Sequence, residues 1–200
     1  MDKCKVFGIG FHKTGTTSLG TIFTRLGYRV GDYSHFRHLS DRENLELQEL
    51  ETFALQIAKD VDATKDSPWP LFYKALDTAY PGSKFIHITR NDDAWIKSAV
   101  NDFGEHPNAI RRAIYGSSFP KGNETAWLER YRSHNREVAE YFADRPDDYL
   151  HICLEEGVSY EKVCPFLGEP LVERGVPKTN TKFRKRLKMM WWRFFGLKRT

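Results

Sequence analysis

Cysteine is scarce in this 200-residue chain: Cys4, Cys153 and Cys164 are all there are, widely spaced and odd in number. Such a set does not make a disulfide framework, and the three are read as reduced packing residues. The chain also lacks CxxC, HExxH and any dense His/Cys cluster, which argues against a structural zinc site. No stretch of eighteen apolar residues occurs, so no segment reads as a membrane-spanning helix, and the first residues carry no signal-like apolar run. A cytoplasmic location is the expectation. Internal repeats and low-complexity segments are absent as well.

Acid is missing from one place in particular. Residues 182–200 hold Lys182, Arg184, Lys185, Arg186, Lys188, Arg193, Lys198 and Arg199 and no Asp or Glu, whereas the whole chain has a net charge of +4. The preceding residues are therefore net acidic, and the basic balance does not argue for nucleic-acid binding by the folded body. Interleaved Phe183, Leu187, Trp191, Trp192, Phe194 and Phe195 give the tail the composition of an interfacial helix on anionic lipid, or of a segment that docks on a partner. Packing on the chain's own acidic body is the alternative. The rest, residues 1–181, suits one domain large enough to bury a sheet between helices.

What is present is concentrated at the start. Val6, Phe7 and Ile9 read as a buried strand that runs into Gly10-Phe11-His12-Lys13-Thr14-Gly15-Thr16-Thr17. Leu19, Ile22, Phe23 and Leu26 then recur as one helix face, and Gly27 stops it. In a strand-loop-helix of this kind the free amides of the first helical turn point back at the loop and favour an anion. Thr14, Thr16, Thr17 and Ser18 offer hydroxyls, Gly15 a flexible backbone, and Lys13 a cation. The two glycines meet half of the nucleotide P-loop pattern, but that motif's lysine position holds Thr16 and the lysine lies three places earlier. A P-loop of that kind also needs an acid at the end of another strand to hold magnesium. The best second strand, Lys84 to Thr89, ends in Arg90, which suggests an anion neutralised by protein cations without a metal.

Elsewhere, Tyr28 to Val30 reads as a strand. Ser40 with Glu43 reads as a capping box before an amphipathic helix carrying Leu47, Leu50, Phe53, Ala54, Ile57 and Val61. Asp66-Ser67-Pro68-Trp69-Pro70 is a turn whose prolines oppose regular structure, followed by a helix from Leu71. Asn91, Asp92 and Asp93 suit a helix start. Residues 104–123, rich in glycine and proline, read as an irregular excursion with at most a short helix, of the kind used as a lid or binding loop. A helix over 124–143, a strand from Tyr149 to Leu154 and a short helix from Ser159 to Leu167 complete the pattern. Strands alternating with helices predict an α/β fold with a mostly parallel sheet of four to five strands, covered on both faces.

In such a sheet ligands gather at the carboxyl ends of the strands, so Arg90 shares a crevice with Lys13 if their strands are neighbours. Ser98, about two turns (roughly 3.6 residues each) into the following helix, adds a hydroxyl for a second anion. The alternatives are a surface ion pair from Arg90 to Asp92 or Asp93 and an ordinary helix serine. Together F-H-K-T-G-T-T-S-L, Arg90 and Ser98 resemble the 5'-phosphosulfate loop and the 3'-phosphate pair of sulfotransferases that use 3'-phosphoadenosine 5'-phosphosulfate (PAPS). D-S-P-W-P-L-F-Y-K-A-L, Y-P-G-S-K-F-I-H-I-T-R-N-D-D-A-W-I-K-S and C-P-F-L-G-E-P-L-V-E-R-G-V-P-K-T-N resemble a compact, largely microbial branch of that superfamily, so that the similarity spans residues 5–181.

The resemblance implies a P-loop-like α/β fold and transfer of a sulfuryl group to an acceptor hydroxyl or amine, with release of 3'-phosphoadenosine 5'-phosphate (PAP) and no metal. It implies a small-molecule or carbohydrate acceptor. Lys13 would assist the leaving phosphate and the amides from Gly15 to Ser18 would hold the 5'-phosphate. Lys178 and Asn180 match a segment near the nucleotide. The position equivalent to the family's base is Asp66, with a helix cap as its alternative role and His12, His35 and His38 as other candidates. Trp69, Trp95, Phe103, Trp127 and Tyr131 are read as core. A P-loop kinase or nucleotide-binding protein, and a non-catalytic membrane- or partner-binding module, are the competing functions.

Overall fold

The computed structural model describes residues 3–171, so Lys178, Asn180 and the basic tail lie outside the described residues. Five strands form one parallel sheet: β1 (Val6–Gly8), β2 (Val30–Gly31), β3 (Ala63–Thr64), β4 (Lys84–Thr89) and β5 (Tyr149–Cys153). Their order is β2-β3-β1-β4-β5. The chain leaves β1 toward one edge and returns across it to β4, so the reversal of direction lies at β1. That is where open parallel sheets place their ligand crevice.

Alternation along the strands divides the core in two. Val6, Ile86, Ile88 and Ile152 face α1 (Thr16–Arg25) and, in the C-terminal part of the described chain, α7 (Tyr160–Leu167). Phe7 and Phe85 face the opposite layer. That layer holds α2 (Leu47–Ala58), α3 (Tyr73–Ala79), α4 (Asp92–Phe103), α5 (Ala109–Tyr115) and α6 (Glu124–Tyr141). Right-handed crossovers account for the split, since the one connection that runs toward the β2 edge must lie on the other face from those that run toward β5. Each fully buried Phe, Leu or Ile in these layers contributes roughly 1.5–3 kcal/mol.

Local chemistry sets most boundaries. Gly27 at φ 79° ends the first turn after α1, Asn91 caps α4 by accepting from Ala94 N–H, and Gly168 at φ 66° closes α7. Other expectations fail. Ser40 and Glu43 do not open a helix: Asp32 and His35 make the capping box, for a 3₁₀ turn over Tyr33–Leu39, and α2 begins at Leu47. Trp69–Phe72 is also a 3₁₀ turn despite its proline, because Pro70 sits in the first turn, where a missing N–H costs nothing, and α3 starts at Tyr73. Of the cysteines only Cys164 is buried; Cys153 is half-buried and Cys4 exposed. Among the described residues no helix is long and apolar enough to cross a membrane.

Candidate functional site

Because the sheet is parallel, the segments after β1, β3 and β4 emerge at the same end, and each carries a residue singled out from the sequence. The β1 loop is shaped first by glycine. A side chain at Gly10 would place its Cβ 2.3 Å from the Ile88 carbonyl oxygen, so only glycine lets the loop leave β1 this close to β4. Gly15 has φ 98° and lies where a Cβ would meet Leu154 Cδ1 at 2.7 Å. Its carbonyl accepts from Ser18 and Leu19 N–H, which starts α1. The amides of that first turn open toward the loop by helix geometry.

The four hydroxyls separate. Thr14 is fully buried and its hydroxyl donates inward to the Phe11 carbonyl at 2.6 Å, so it braces the loop and does not face the crevice. Thr16 reaches across to Asp66 Oδ2 at 3.4 Å. Thr17 is exposed and Ser18 half-buried.

Lys13 stands in the left-handed region at φ 67°, an arrangement that costs on the order of 1 kcal/mol for a residue with a Cβ. Its carbonyl accepts from Arg90 Nη1 at 3.1 Å, and its ammonium pairs with Asp102 Oδ2 at 2.8 Å. Arg90 is itself clamped: its N–H donates to the Tyr131 hydroxyl at 2.8 Å, and that hydroxyl donates back to the Arg90 carbonyl at 2.9 Å. The surface ion pair considered for Arg90 does not form with Asp92, which binds Arg132 Nε at 2.6 Å. Ser98 is half-buried on α4, one helical turn before Asp102 and one after Trp95, whose Nε1–H reaches the His12 carbonyl at 2.8 Å. The same face of α4 therefore looks onto the loop.

Asp66 follows β3 and is the second non-glycine residue in the left-handed region, at φ 71°. Its Oδ1 accepts from the Ser67 amide at 2.8 Å; the following 3₁₀ turn is capped by Pro68, so Asp66 is not a helix cap. Burial pushes its pKa up, against the opposing pull of Lys65, the Ser67 amide and Lys13. A carboxylate held in that way is a better proton acceptor than one in water.

The histidines considered as bases lie elsewhere. His12 is buried among Trp95, Phe103, Tyr115 and Trp127, with its two ring nitrogens on Ser67 Oγ and the Tyr115 hydroxyl, both at 3.1 Å. Burial, with Lys13 and Arg111 nearby, pushes its pKa down to about 3. His35 serves the capping box, and the ring of His38 packs edge-on against Phe53. Trp69, Trp95, Trp127 and Tyr131 are fully buried, as expected of core, and Phe103 packs partly buried against them.

Sequence reading missed Asp102, Ser67 and Tyr115, and read Tyr131 as core without its bonds to Arg90. Asp102 carried one usable signal, its spacing of four from Ser98 on a helix. The other three meet the site only through tertiary packing.

A model of the sulfotransferase domain matches residues 5–116 and 100–184. Among solved structures, the chain is similar to a sulfotransferase from Alicyclobacillus acidocaldarius, at 19% identity and a TM-score of 0.53, over 98% of this chain and 92% of that one. It is also similar to shikimate kinase from Bacteroides thetaiotaomicron, at 12% identity and a TM-score of 0.47, over 82% and 94% of the two chains. No curated protein matches it.

Proposed function

The chain belongs to the sulfotransferase domain family, and on that premise we propose that it moves a sulfuryl group from PAPS to the hydroxyl or amine of a small-molecule or carbohydrate acceptor. The observation that carries the reading is the meeting of Lys13, Asp66 and Arg90, from three different strand ends, around the N-terminus of α1. The residues fit such a donor. Gly10 and Gly15 let the loop pack against β4 and Leu154 where a Cβ would collide, and the adjoining helix start supplies amides for a 5'-phosphate. Arg90 and Ser98 lie on the α4 side of that loop, where a second phosphate on the same nucleotide needs a cation and a hydroxyl.

The chemistry needs a cation and a base. Asp66 takes the proton from the acceptor hydroxyl as its oxygen bonds to sulfur. Lys13 stabilises the charge gathered on the 5'-phosphate oxygen as the sulfur-oxygen bond breaks. Cations of the protein neutralise the donor, so the reaction requires no divalent metal. Lys178 and Asn180 are assigned to the nucleotide, and residues 182–200 to a peripheral membrane or partner contact, with the chain cytoplasmic.

Calorimetric titration with PAP, set beside ATP with magnesium, tests the donor assignment. PAP binding without added metal, and weaker binding of magnesium ATP, is expected; the reverse preference overturns the reading. Liposome co-sedimentation of the full chain and of residues 1–181 tests the tail, for which equal binding removes the membrane contact.

A further inference from the structure

We propose that His12 is a positioning residue: its bond to Ser67 is a strut that holds Asp66 at a fixed place opposite Lys13, and its bond to Tyr115 ties that spacing to α5. The inference rests on the sulfuryl-transfer reading, in which Lys13 and Asp66 act on opposite sides of the same sulfur. His12 immediately precedes Lys13, and Ser67 immediately follows Asp66. The 3.1 Å contact from His12 Nδ1 to Ser67 Oγ therefore joins the two segments one residue away from each acting side chain. Both acting residues have left-handed backbones, at φ 67° and 71°, which neighbouring structure must hold in place.

The strut has two anchored ends. On one side, the Trp95 indole N–H fixes the His12 carbonyl at 2.8 Å, and five aromatic rings surround the imidazole. On the other, the Ser67 amide holds Asp66 Oδ1 at 2.8 Å, while Thr16 approaches Oδ2. Burial keeps the Tyr115 phenol protonated and the imidazole neutral. A neutral imidazole has one donor and one acceptor nitrogen. Both partners are hydroxyls that donate or accept, so either tautomer satisfies the pair: the ring N–H is given to one hydroxyl while the other hydroxyl donates to the bare ring nitrogen. The excursion over residues 104–123 thus acquires a role through α5: Tyr115 secures the far end of the strut, 103 positions along the chain from His12.

A histidine that only filled the core would affect stability and leave the carboxylate alone. Ser67→Ala and Tyr115→Phe separate the two roles, with the thermal midpoint checked for each. In both, PAP affinity by calorimetry is expected to stay within about twofold of wild type, because neither side chain lies on the phosphate loop. Single-turnover consumption of radiolabelled PAPS, with water as the acceptor present, is expected to fall about ten- to a hundredfold, the scale set by a small misplacement of reacting groups.

The deciding measurement is the titration of the Asp66 carboxyl followed by carbon NMR and assigned with Asp66→Asn. Loss of the strut lets water reach the carboxyl, so its pKa is expected to fall by half a unit or more. Variants whose Asp66 titrates as in wild type overturn the proposal, whatever their turnover. A wild-type chain that does not bind PAP removes the sulfuryl-transfer reading instead, and the Asp66 titration still decides whether the strut exists.

Discussion

The ammonium of Lys13 is held 2.8 Å from Asp102, one helical turn beyond Ser98 on the face of α4 that overlooks the phosphate loop. The pair is partly exposed, so its strength is modest, and an anion on the loop competes with Asp102 for the same cation. Asp102→Asn is therefore expected to bind PAP more tightly, by up to about fivefold for an ion pair worth roughly 0.2–1 kcal/mol. Calorimetry at constant ionic strength checks this. Lys13→Met tests the other partner: turnover is expected to fall on the order of 10²–10³-fold, as when a charge-stabilising donor is removed. Weaker PAP binding by Asp102→Asn means that the carboxylate supports the loop and does not compete with the donor.

The raised pKa of Asp66 has a kinetic consequence. The ionised carboxylate is the form that accepts the proton, so the rate in wild type is expected to rise with pH through a value above the ordinary aspartate range. Asp66→Asn keeps the shape and removes the base. It is expected to lower turnover on the order of 10²–10⁴-fold, flatten the acid limb and leave PAP affinity unchanged. Pre-steady-state measurement of PAPS consumption across pH separates these effects. A variant with full turnover and the same acid limb removes Asp66 from the chemistry.

The parts of this site that the sequence discloses are those coded locally. A strand, two glycines and a helix face place the loop near Lys13, and the β4 run ending at Arg90 places the second cation. Neighbourhood of β1 and β4 follows from topology. Two-residue strands carry too few side chains for a period to show: β3 goes unread, and the strand read over Tyr28 to Val30 lies at Val30–Gly31. The Ser40–Glu43 spacing matched a capping pattern, but Ser40 bonds the Tyr33 hydroxyl at 2.7 Å and its carbonyl takes the Ala109 amide. Tertiary contacts thus override the local signal. The partners of His12 and Lys13 belong to the same class, since a bond between residues far apart in sequence has no local signature.

Gly10 offers a test of the fold under the site. In Gly10→Ala the new methyl would lie 2.3 Å from the Ile88 carbonyl oxygen and 2.9 Å from its nitrogen, both backbone atoms of β4 that cannot turn aside. Either the β1–β4 register shifts or the loop lifts. Destabilisation of about 1–3 kcal/mol or more is expected, the range for overpacking, together with loss of PAP binding. Urea denaturation and calorimetry on the same variant check the two outcomes. Gly27→Ala is the control: nothing lies within 4 Å of its Cβ, so only the left-handed backbone at φ 79° is penalised, and PAP affinity is expected to stay at the wild-type value.

Three buried imidazoles make the fold sensitive to acid. His12, His87 and His134 all have pKa values pushed down to about 3, in each case chiefly by burial. The ordinary value is 6.5, so between 6.5 and about 3 the unfolded chain binds protons that the folded chain refuses. Their contribution is complete above the ordinary value and is lost as pH falls toward the folded one. Each group adds a slope of up to about 1.4 kcal/mol per pH unit, and the three together about 4. Urea denaturation at pH 7 and pH 4.5 is therefore expected to show a loss of several kcal/mol.

Paired carboxylates also weaken the fold in acid, and His134→Phe distinguishes the histidine contribution. His134 stacks on Phe11 at 4.2 Å, its Nδ1 is buried without a hydrogen bond, and its Nε2 reaches the Ile9 carbonyl at 2.8 Å. Phenylalanine keeps the stack and cannot take up a proton. The variant is expected to lose about 1 kcal/mol at pH 7 with the hydrogen bond, and to show a shallower slope below pH 6 by about one proton. An unchanged slope means that the buried imidazoles do not set the acid limit.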